Sequence, residues 1–261
     1  MDGVNKTLYI PLYGKAYVSR KGILLHDRKA EEIWEKEGFP LKGKSASKWL
    51  AYNMGMRAKV FDTWTEEKLK ADPDAIVLHI GCGLDARSER VNRAGREWFD
   101  IDFPEVIAER RTYFREGEGY HMLPADMRQE AWKAAVPKGR AIVVMEGVSM
   151  YFRPEELVRL LRQLGVHFEQ VKLLMDCYTT FGAKASKYKN PINDVGVTTV
   201  YGMDDPVRLA QDTGFSYVAE HSLTPDAMIA QLRKSEGRIF KHLFAGSFAR
   251  KIYRLYEFEK V

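Results

Sequence analysis

The chain has 261 residues, with 41 lysines and arginines against 36 aspartates and glutamates, a formal charge of +5, and 45 % apolar residues. This is the balance of an ordinary globular protein, long enough to bury roughly three quarters of its unfolded surface, and it excludes a disordered or fibrous chain. The longest aliphatic run, 141–145, falls far short of the ~20 residues that span a bilayer, so no membrane partner is expected.

Residues 1–70 read as a helical cover. Asp27 can cap a helix running to Gly38, and a second helix over about 46–70 carries the apolar stripe Trp49, Tyr52, Met56, Val60 and Trp64 at spacings of three and four. From residue 75 the pattern changes to short apolar runs at 75–80, 98–101, 120–123, 141–145, 171–177, 215–219 and 252–258. Helix signals lie between most of them. Pro104 and Pro154 stand where first-turn prolines belong, and Leu157, Leu160, Leu161 and Leu164 mark a helical face that Gly165 should close. Alternating strands and helices predict an α/β fold: a doubly wound, seven-stranded, mostly parallel sheet, with an antiparallel pair among its last strands. The expected division is a helical cover at 1–70 and a core at 71–261. Residues 178–203 are rich in Thr, Gly, Lys and Asn and read as a loop, a candidate lid over the substrate.

Other features bound the function. Two cysteines, Cys82 and Cys177, supply neither a disulfide framework nor a cysteine-rich metal site, so no metal is expected. With Asp2 and no apolar stretch at the N-terminus, a secretory signal is not expected and cytoplasm is the default compartment. Acidic and basic residues alternate at 29–32 and 66–68, as on a solvated helix face. Arg87, Arg90, Arg93 and Arg96 form one mild basic cluster, a weak basis for nucleic-acid binding, which is not expected.

The residues that carry chemistry begin at 76–87, a strand, a glycine turn and a helix start. Gly81 and Gly83 allow close backbone approach to a ligand, and a helix N-terminus offers free N–H groups. Asp102 follows Gly83 by 19 residues, at the end of the next run, where a carboxylate can accept both ribose hydroxyls or cap the helix at Pro104. Gly81-x-Gly83-x-x-Ala86 also fits a dinucleotide fingerprint, so the turn alone does not choose the ligand. Asp126 can accept from an adenine amino group or cap a helix entering at Arg128. Glu146 is a carboxylate at the end of an apolar strand, where open α/β sheets bind ligands; a salt bridge is its plainer role.

In four segments, 81–87, 100–106, 125–128 and 146–151, the chain resembles class I S-adenosylmethionine-dependent methyltransferases. Within them it resembles the leucine carboxyl methyltransferase and tetracenomycin-type polyketide O-methyltransferase family. Weaker matches at 15–19 and 201–206 extend the likeness over nearly the whole chain; Ala86 and Ser149 depart from the commoner threonine and leucine. The resemblance implies an O-methyltransferase acting on a carboxylate or hydroxyl of a small molecule, with S-adenosylmethionine as cofactor and S-adenosylhomocysteine as product. It implies Gly81 and Gly83 beneath the cofactor, Asp102 at its ribose, Asp126 and Met127 at its adenine, and Glu146 near its methionine end. A protein C-terminal carboxyl methyltransferase, a nicotinamide-dependent oxidoreductase and a non-catalytic binding module stay open beside it.

A cofactor carboxylate needs a cation. Arg57 sits beside the buried stripe of the second helix, and Lys15 is the second candidate. Each is expected to meet a carboxylate of cofactor or acceptor; an internal ion pair and a surface lysine are the alternatives. Tyr151 and Glu146 are the candidate catalytic residues, Tyr151 as a contact to the acceptor or else a core aromatic. His79 and His121, inside strands, read as satisfied core residues. Tyr9, Tyr13, Tyr17 and Tyr178 either line an apolar pocket or pack.

Overall fold

The computed structural model describes residues 8–39, 41, 43–189 and 199–261. Three helices come first: α1 (Tyr9–Arg20), α2 (Arg28–Glu37) and α3 (Lys48–Ala71). The Asp27 side chain caps α2 through the Ala30 N–H, and Gly38 closes it in the left-handed conformation, as their residue types require. Then come β1 (Ile76–Ile80), a single turn α4 (Arg87–Arg90), β2 (Trp98–Asp102), α5 (Pro104–Arg110), β3 (Tyr120–Pro124) and β4 (Arg140–Met145). The chain continues through α6 (Pro154–His167), β5 (Gln170–Tyr178), α7 (Thr180–Lys189), α8 (Pro206–Thr213) and β6 (Ser216–His221). It ends in α9 (Asp226–Ile229), α10 (Lys234–Phe244), α11 (Ser247–Arg250) and β7 (Tyr253–Lys260).

The seven strands form one sheet in the order β3-β2-β1-β4-β5-β7-β6. β1 to β5 pair in parallel, and β7 runs antiparallel to both β5 and β6. The central strands β1, β4 and β5 are buried on both faces, which is why their runs read as nearly continuous apolar stretches. Leu78, Ile80, Val143, Met145, Leu173 and Met175 pack against Leu157, Leu160, Leu161 and Leu164 of α6. On the opposite face, Val77, Ile142, Val144, Leu174 and Leu255 meet Leu12, Ala16, Phe61, Trp64 and Leu69 of the N-terminal helices. The chain winds outward from β1 to β3 and then returns to β4 beside β1. The order therefore reverses between the tips of β1 and β4, the position where open α/β sheets bind ligands.

Several local expectations need correction. Residues 178–203 are not one loop: 180–189 are helical, and 190–198 lie outside the described residues, so the lid expectation there is not addressed. The helix after the glycine turn lasts one turn, because Val91 already takes an extended backbone; Ala94 and Gly95, with positive φ, then turn the chain toward β2. Helix α6 runs through Gly165 to His167, with the Phe215 ring packed against Gly165. No helix enters at Arg128; a turn leads to a 3-10 segment at Ala131–Ala134. β3 is the sheet edge, so His121 is half-exposed, paired with Glu97 and stacked on Phe99 rather than buried in the core. Arg87 and Arg90 are buried and ion-paired, so the basic cluster around them is no surface patch. No helix among the described residues is long and apolar enough to cross a membrane, and none of their His, Cys, Asp or Glu groups is arranged to hold a metal ion.

Candidate cofactor and acceptor site

A cavity of about 1380 Å³ opens at the reversal point. Gly81, Cys82 and Gly83 form part of its wall after β1, with Asp102 and Phe103 after β2 and Glu146, Gly147, Val148 and Tyr151 after β4. Leu8, Lys15, Asn53, Met54 and Arg57 cover it from the N-terminal segment and helices α1 and α3. Its far part is lined by Tyr178, Tyr201, Tyr253, Leu243, Phe244 and Phe248.

The glycine turn is shaped by what it lacks. Gly81 and Gly83 have φ of +69° and +51°, a region that side chains other than glycine enter only with strain. A Cβ on Gly81 would stand 2.6 Å from Val148 Cγ2, and one on Gly83 2.8 Å from Leu8 Cδ2. The Gly83 N–H donates to Asp102 Oδ2 at 2.8 Å, and the Phe103 N–H donates to Oδ1 at 2.8 Å. Burial pushes the Asp102 carboxyl up to about 6, against the pull of those two N–H groups. Each carboxylate oxygen keeps a second acceptor position.

Behind the cavity wall lies a connected cluster of buried charge. Arg57 donates from Nε to Glu146 Oε1 at 3.1 Å and from Nη1 to Asp176 Oδ2 at 3.2 Å and Tyr253 Oη at 3.4 Å. Arg87 also pairs with Glu146 and reaches Asp62 at 2.8 Å and Asp85 at 3.3 Å. Arg90 joins Asp27, Asp62 and Asp85 at 2.5–2.7 Å, and Lys15 meets Asp85 at 3.3 Å. This set holds four cations and five carboxylates. Burial opposes ionising Glu146, yet the Arg57 and Arg87 guanidiniums overcome it and hold the carboxyl at about 2. For Asp176 burial wins: the carboxyl stands at about 6 although Arg57 draws it down. Burial works against the Arg57 charge, but Glu146 and Asp176 hold it firmly protonated. His79 is held neutral by burial, with Nδ1 against Asp100 at 3.0 Å and Nε2 against Arg87 at 3.1 Å, a satisfied core histidine.

The structure gathers Lys15, Arg57, Gly81, Gly83, Asp102, Glu146 and Tyr151 around this one cavity. It does not bring Asp126 and Met127 there. The Asp126 carboxylate turns onto its neighbour, accepting from the Arg128 backbone N–H at 3.0 Å and from its guanidinium at 2.8–3.0 Å. Met127 is buried with Trp132 and Val136, and Arg128 lines the cavity in their place. Arg57 makes the internal ion pairs named as its alternative, with Glu146 and Asp176, because the helix face that carries it points at the tips of β4 and β5, and it lines the cavity as well; Lys15 does the same with Asp85. Of the four tyrosines, Tyr178 lines the cavity; Tyr9 stacks on Phe39, and Tyr13 and Tyr17 pack into an aromatic cluster with Trp34 and Tyr52. Asp176 and Tyr253 were not anticipated. A lone acid within the apolar run 171–177 was the available signal for the first.

Comparison with known proteins accords with this geometry. A family model for leucine carboxyl methyltransferase matches residues 8–165. The tetracenomycin polyketide synthesis O-methyltransferase TcmP of Streptomyces glaucescens is 30 % identical over 241 residues, spanning 90 % of this chain and 89 % of the relative. The S-adenosyl-L-methionine-dependent methyltransferase dpfgK of Gibberella zeae is 28 % identical over 234 residues, 80 % of this chain and 78 % of its own. Among solved structures, a methyltransferase from Thermobifida fusca superposes with a TM-score of 0.56 at 14 % identity, covering 95 % of this chain and 94 % of that one, a likeness of fold.

Proposed function

The chain belongs to the leucine carboxyl methyltransferase family and is an S-adenosylmethionine-dependent methyltransferase, and from that premise we propose that it methylates an oxygen of a small-molecule acceptor. One observation carries this: a single cavity runs from the glycine turn and Asp102 to a tyrosine- and phenylalanine-lined end large enough for a second molecule. When bound, S-adenosylmethionine supplies a methyl group activated by the positive sulfur that carries it.

The residues present suit that cofactor. Asp102, half-buried beside the Gly83 backbone, would accept from the ribose hydroxyls. Gly81 and Gly83 leave the backbone open to close approach, since a Cβ at either would collide with Val148 or Leu8. Glu146, ionised between Arg57 and Arg87, would face the ammonium group, while Lys15 and Arg57 would hold the carboxylate. The cluster of Lys15, Arg57, Arg87 and Arg90 carries one more carboxylate than cation, which favours a ligand of net positive charge. Asp126 and Met127 do not line the cavity, and Phe103 and Arg128 beside them would meet the adenine.

The protein's part in the reaction is to hold the acceptor oxygen close to the methyl carbon and in line with the bond that breaks, the proximity that such displacements need. Tyr151, on the cavity wall after β4, would touch the acceptor. Titration calorimetry should detect S-adenosylhomocysteine and no comparable heat with NAD. A folded protein that binds NAD and ignores S-adenosylhomocysteine would sink the proposal. Transfer of labelled methyl to phenols and carboxylic acids, compared with peptides ending in a free carboxylate, separates small-molecule from protein acceptors.

A further inference from the structure

Arg57 is one positive charge set between two buried carboxylates. It donates from Nε to Glu146 and from Nη1 to Asp176, and Nη1 also reaches Tyr253 Oη at 3.4 Å. Its Nη2 has two N–H groups and no hydrogen-bond partner among the described residues, and Arg57 lines the cavity. An acceptor that brings a carboxylate to those N–H groups adds a third negative charge around one guanidinium.

Of the three, Asp176 is the one placed to give way. Glu146 touches a second guanidinium, that of Arg87, and stays ionised. Asp176 has Arg57 alone; it is 0 % exposed and is not part of the cavity wall. The groups that face it come from three elements besides its own. Helix α3 brings Arg57 to Oδ2 at 3.2 Å, and the turn after β4 brings Glu146 and the Gly147 N–H, which donates to Oδ1 at 2.7 Å. Strand β7 brings the Tyr253 hydroxyl, which is hydrogen-bonded to Asp176, while the Cys177 thiol beside it on β5 is kept neutral by burial. Burial outweighs the pull of Arg57 and leaves the Asp176 carboxyl at about 6, so a proton is within its reach near neutral pH.

The register of the last strands makes the arrangement. Tyr253 pairs with Tyr178 and Leu255 with Asp176, so Tyr253 and Asp176 share the sheet face that Arg57 covers. The Tyr178 ring meets that of Tyr253 edge-on, at 4.8 Å between centroids, which fixes the direction of the Tyr253 side chain. Tyr253 lines the cavity and stands between Asp176 and the acceptor space.

We infer that Asp176 is the positioning residue of the acceptor site, and that an anionic acceptor bound at Arg57 draws a proton onto it; this rests on the methyltransferase reading above. In the free protein the Tyr253 hydroxyl donates to the Asp176 carboxylate. A tyrosine hydroxyl either donates or accepts. Once Asp176 is protonated, its O–H donates to Tyr253 Oη, and the Tyr253 O–H turns to the acceptor anion. Arg57 Nη2 and Tyr253 then hold that anion together, and the share of the Arg57 charge that Asp176 had used is left to it. The Gly147 N–H on Oδ1 and the Ser149 hydroxyl on the Asp176 backbone carbonyl need no charge, and they keep Asp176 in place. The proton is taken from water when the anion enters and returned when the neutral methyl ester leaves.

The test binds 2-naphthoate, and 2-naphthol as its neutral counterpart, to the full chain saturated with S-adenosylhomocysteine. The naphthoate dissociation constant should fall several-fold from pH 8 to pH 6, bounded by about tenfold per unit for a single proton, while that of the naphthol stays within twofold. At pH 7 the calorimetric heat of naphthoate binding should change with the ionisation enthalpy of the buffer, in the sense of proton uptake. Asp176→Asn supplies a neutral side chain of the same shape. It should abolish the pH dependence and the uptake, and bind naphthoate at pH 8 no more weakly than the unaltered protein, whereas a merely structural Asp176 predicts weaker binding. Tyr253→Phe should weaken naphthoate several-fold at pH 6 and change S-adenosylhomocysteine affinity less than twofold; it still decides if Asp176→Asn does not fold. A naphthoate affinity that is flat with pH, unaltered naphthoate binding in Tyr253→Phe, weaker binding at pH 8 in a folded Asp176→Asn, or no naphthoate binding by a protein that holds S-adenosylhomocysteine overturns the inference. So does a pH dependence that survives in Asp176→Asn, which would place the proton on another cavity residue, such as His221 in its pair with Glu257. Failure to bind S-adenosylhomocysteine overturns instead the reading on which it rests.

Discussion

Replacing Arg57 by methionine keeps the length and apolar character of the side chain and removes its charge. The structure sets the consequence. Glu146 and Asp176 both lie in the protein interior, and Arg57 is paired with each. Removing one partner of a buried ion pair costs ~3–5 kcal/mol, because the remaining charge is left uncompensated. That figure has a natural ceiling, since a carboxyl of ordinary pKa can instead take up a proton at pH 7 for ~4 kcal/mol. Glu146 keeps Arg87, so Asp176 is the group that should protonate. For a chain of this size the loss corresponds to a fall in Tm of roughly 6–15 °C. The pH dependence follows from the raised Asp176 carboxyl. Its native pKa of about 6 exceeds the unfolded value, so the native state binds the extra proton and gains stability as pH falls through 6. Without Arg57 that pKa rises further, and the variant gains stability over a range, pH 8 to 6, where the unaltered protein gains little. The stability gap should therefore be widest above pH 7 and narrow toward pH 6, by at most ~1.4 kcal/mol per pH unit. Thermal melts from pH 5.5 to 8, beside calorimetric titration with S-adenosylhomocysteine, measure both effects. Equal melting temperatures, or a gap that stays constant with pH, would refute the reasoning.

Asp102→Ala should weaken S-adenosylhomocysteine by ~1–3 kcal/mol, the range for a charged hydrogen bond, with the fold kept; unchanged affinity by calorimetry removes Asp102 from the ribose site. With its carboxyl at about 6, affinity in the unaltered protein should also decline as pH falls below 6, where the acceptor becomes protonated, and Asp102→Ala should abolish that decline. Gly182→Ala would place a Cβ 2.1 Å from the Ile252 carbonyl oxygen, a backbone atom that cannot swing aside. Helix α7 must then move away from β7, at a cost of ~1–3 kcal/mol or more, visible as a lower Tm; an unaltered melt would show that the contact yields freely.

The sheet was legible chiefly because its central strands are buried on both faces. Runs such as 141–145 have no polar position to interrupt them, and each of the seven became a strand. Caps were legible where one side chain decides the geometry, as at Asp27. Helix lengths were less so: α4 stops after a turn, where Val91 becomes extended ahead of the Ala94-Gly95 corner, while α6 passes Gly165, which packs beside the Phe215 ring. The site was legible wherever a residue's position along the chain fixes its place at a strand tip, as for Gly81, Gly83, Asp102 and Glu146. Asp126 stands off the cavity wall because a side chain at a tip can turn to a nearer partner, here Arg128, two residues away.

Pairing of buried charge is where local pattern carries least. Arg57 meets Glu146 and Asp176 across separations of 89 and 119 residues, and Arg90 meets Asp27 and Asp62 across 63 and 28. Spacing marked Arg57 as buried, but the identity of its partner depends on how α3 crosses the sheet. Such clusters are poor stabilisers, since well-packed apolar side chains often serve as well. Their placement is more informative than their energy. The carboxylates of Glu146 and Asp176 stand at adjacent strand tips, yet one is held near 2 by two guanidiniums and the other near 6 by burial with a single one. Two acids with well-separated proton affinities behave differently side by side: Glu146 stays a permanent negative charge suited to a cationic ligand, while Asp176 changes charge near pH 6.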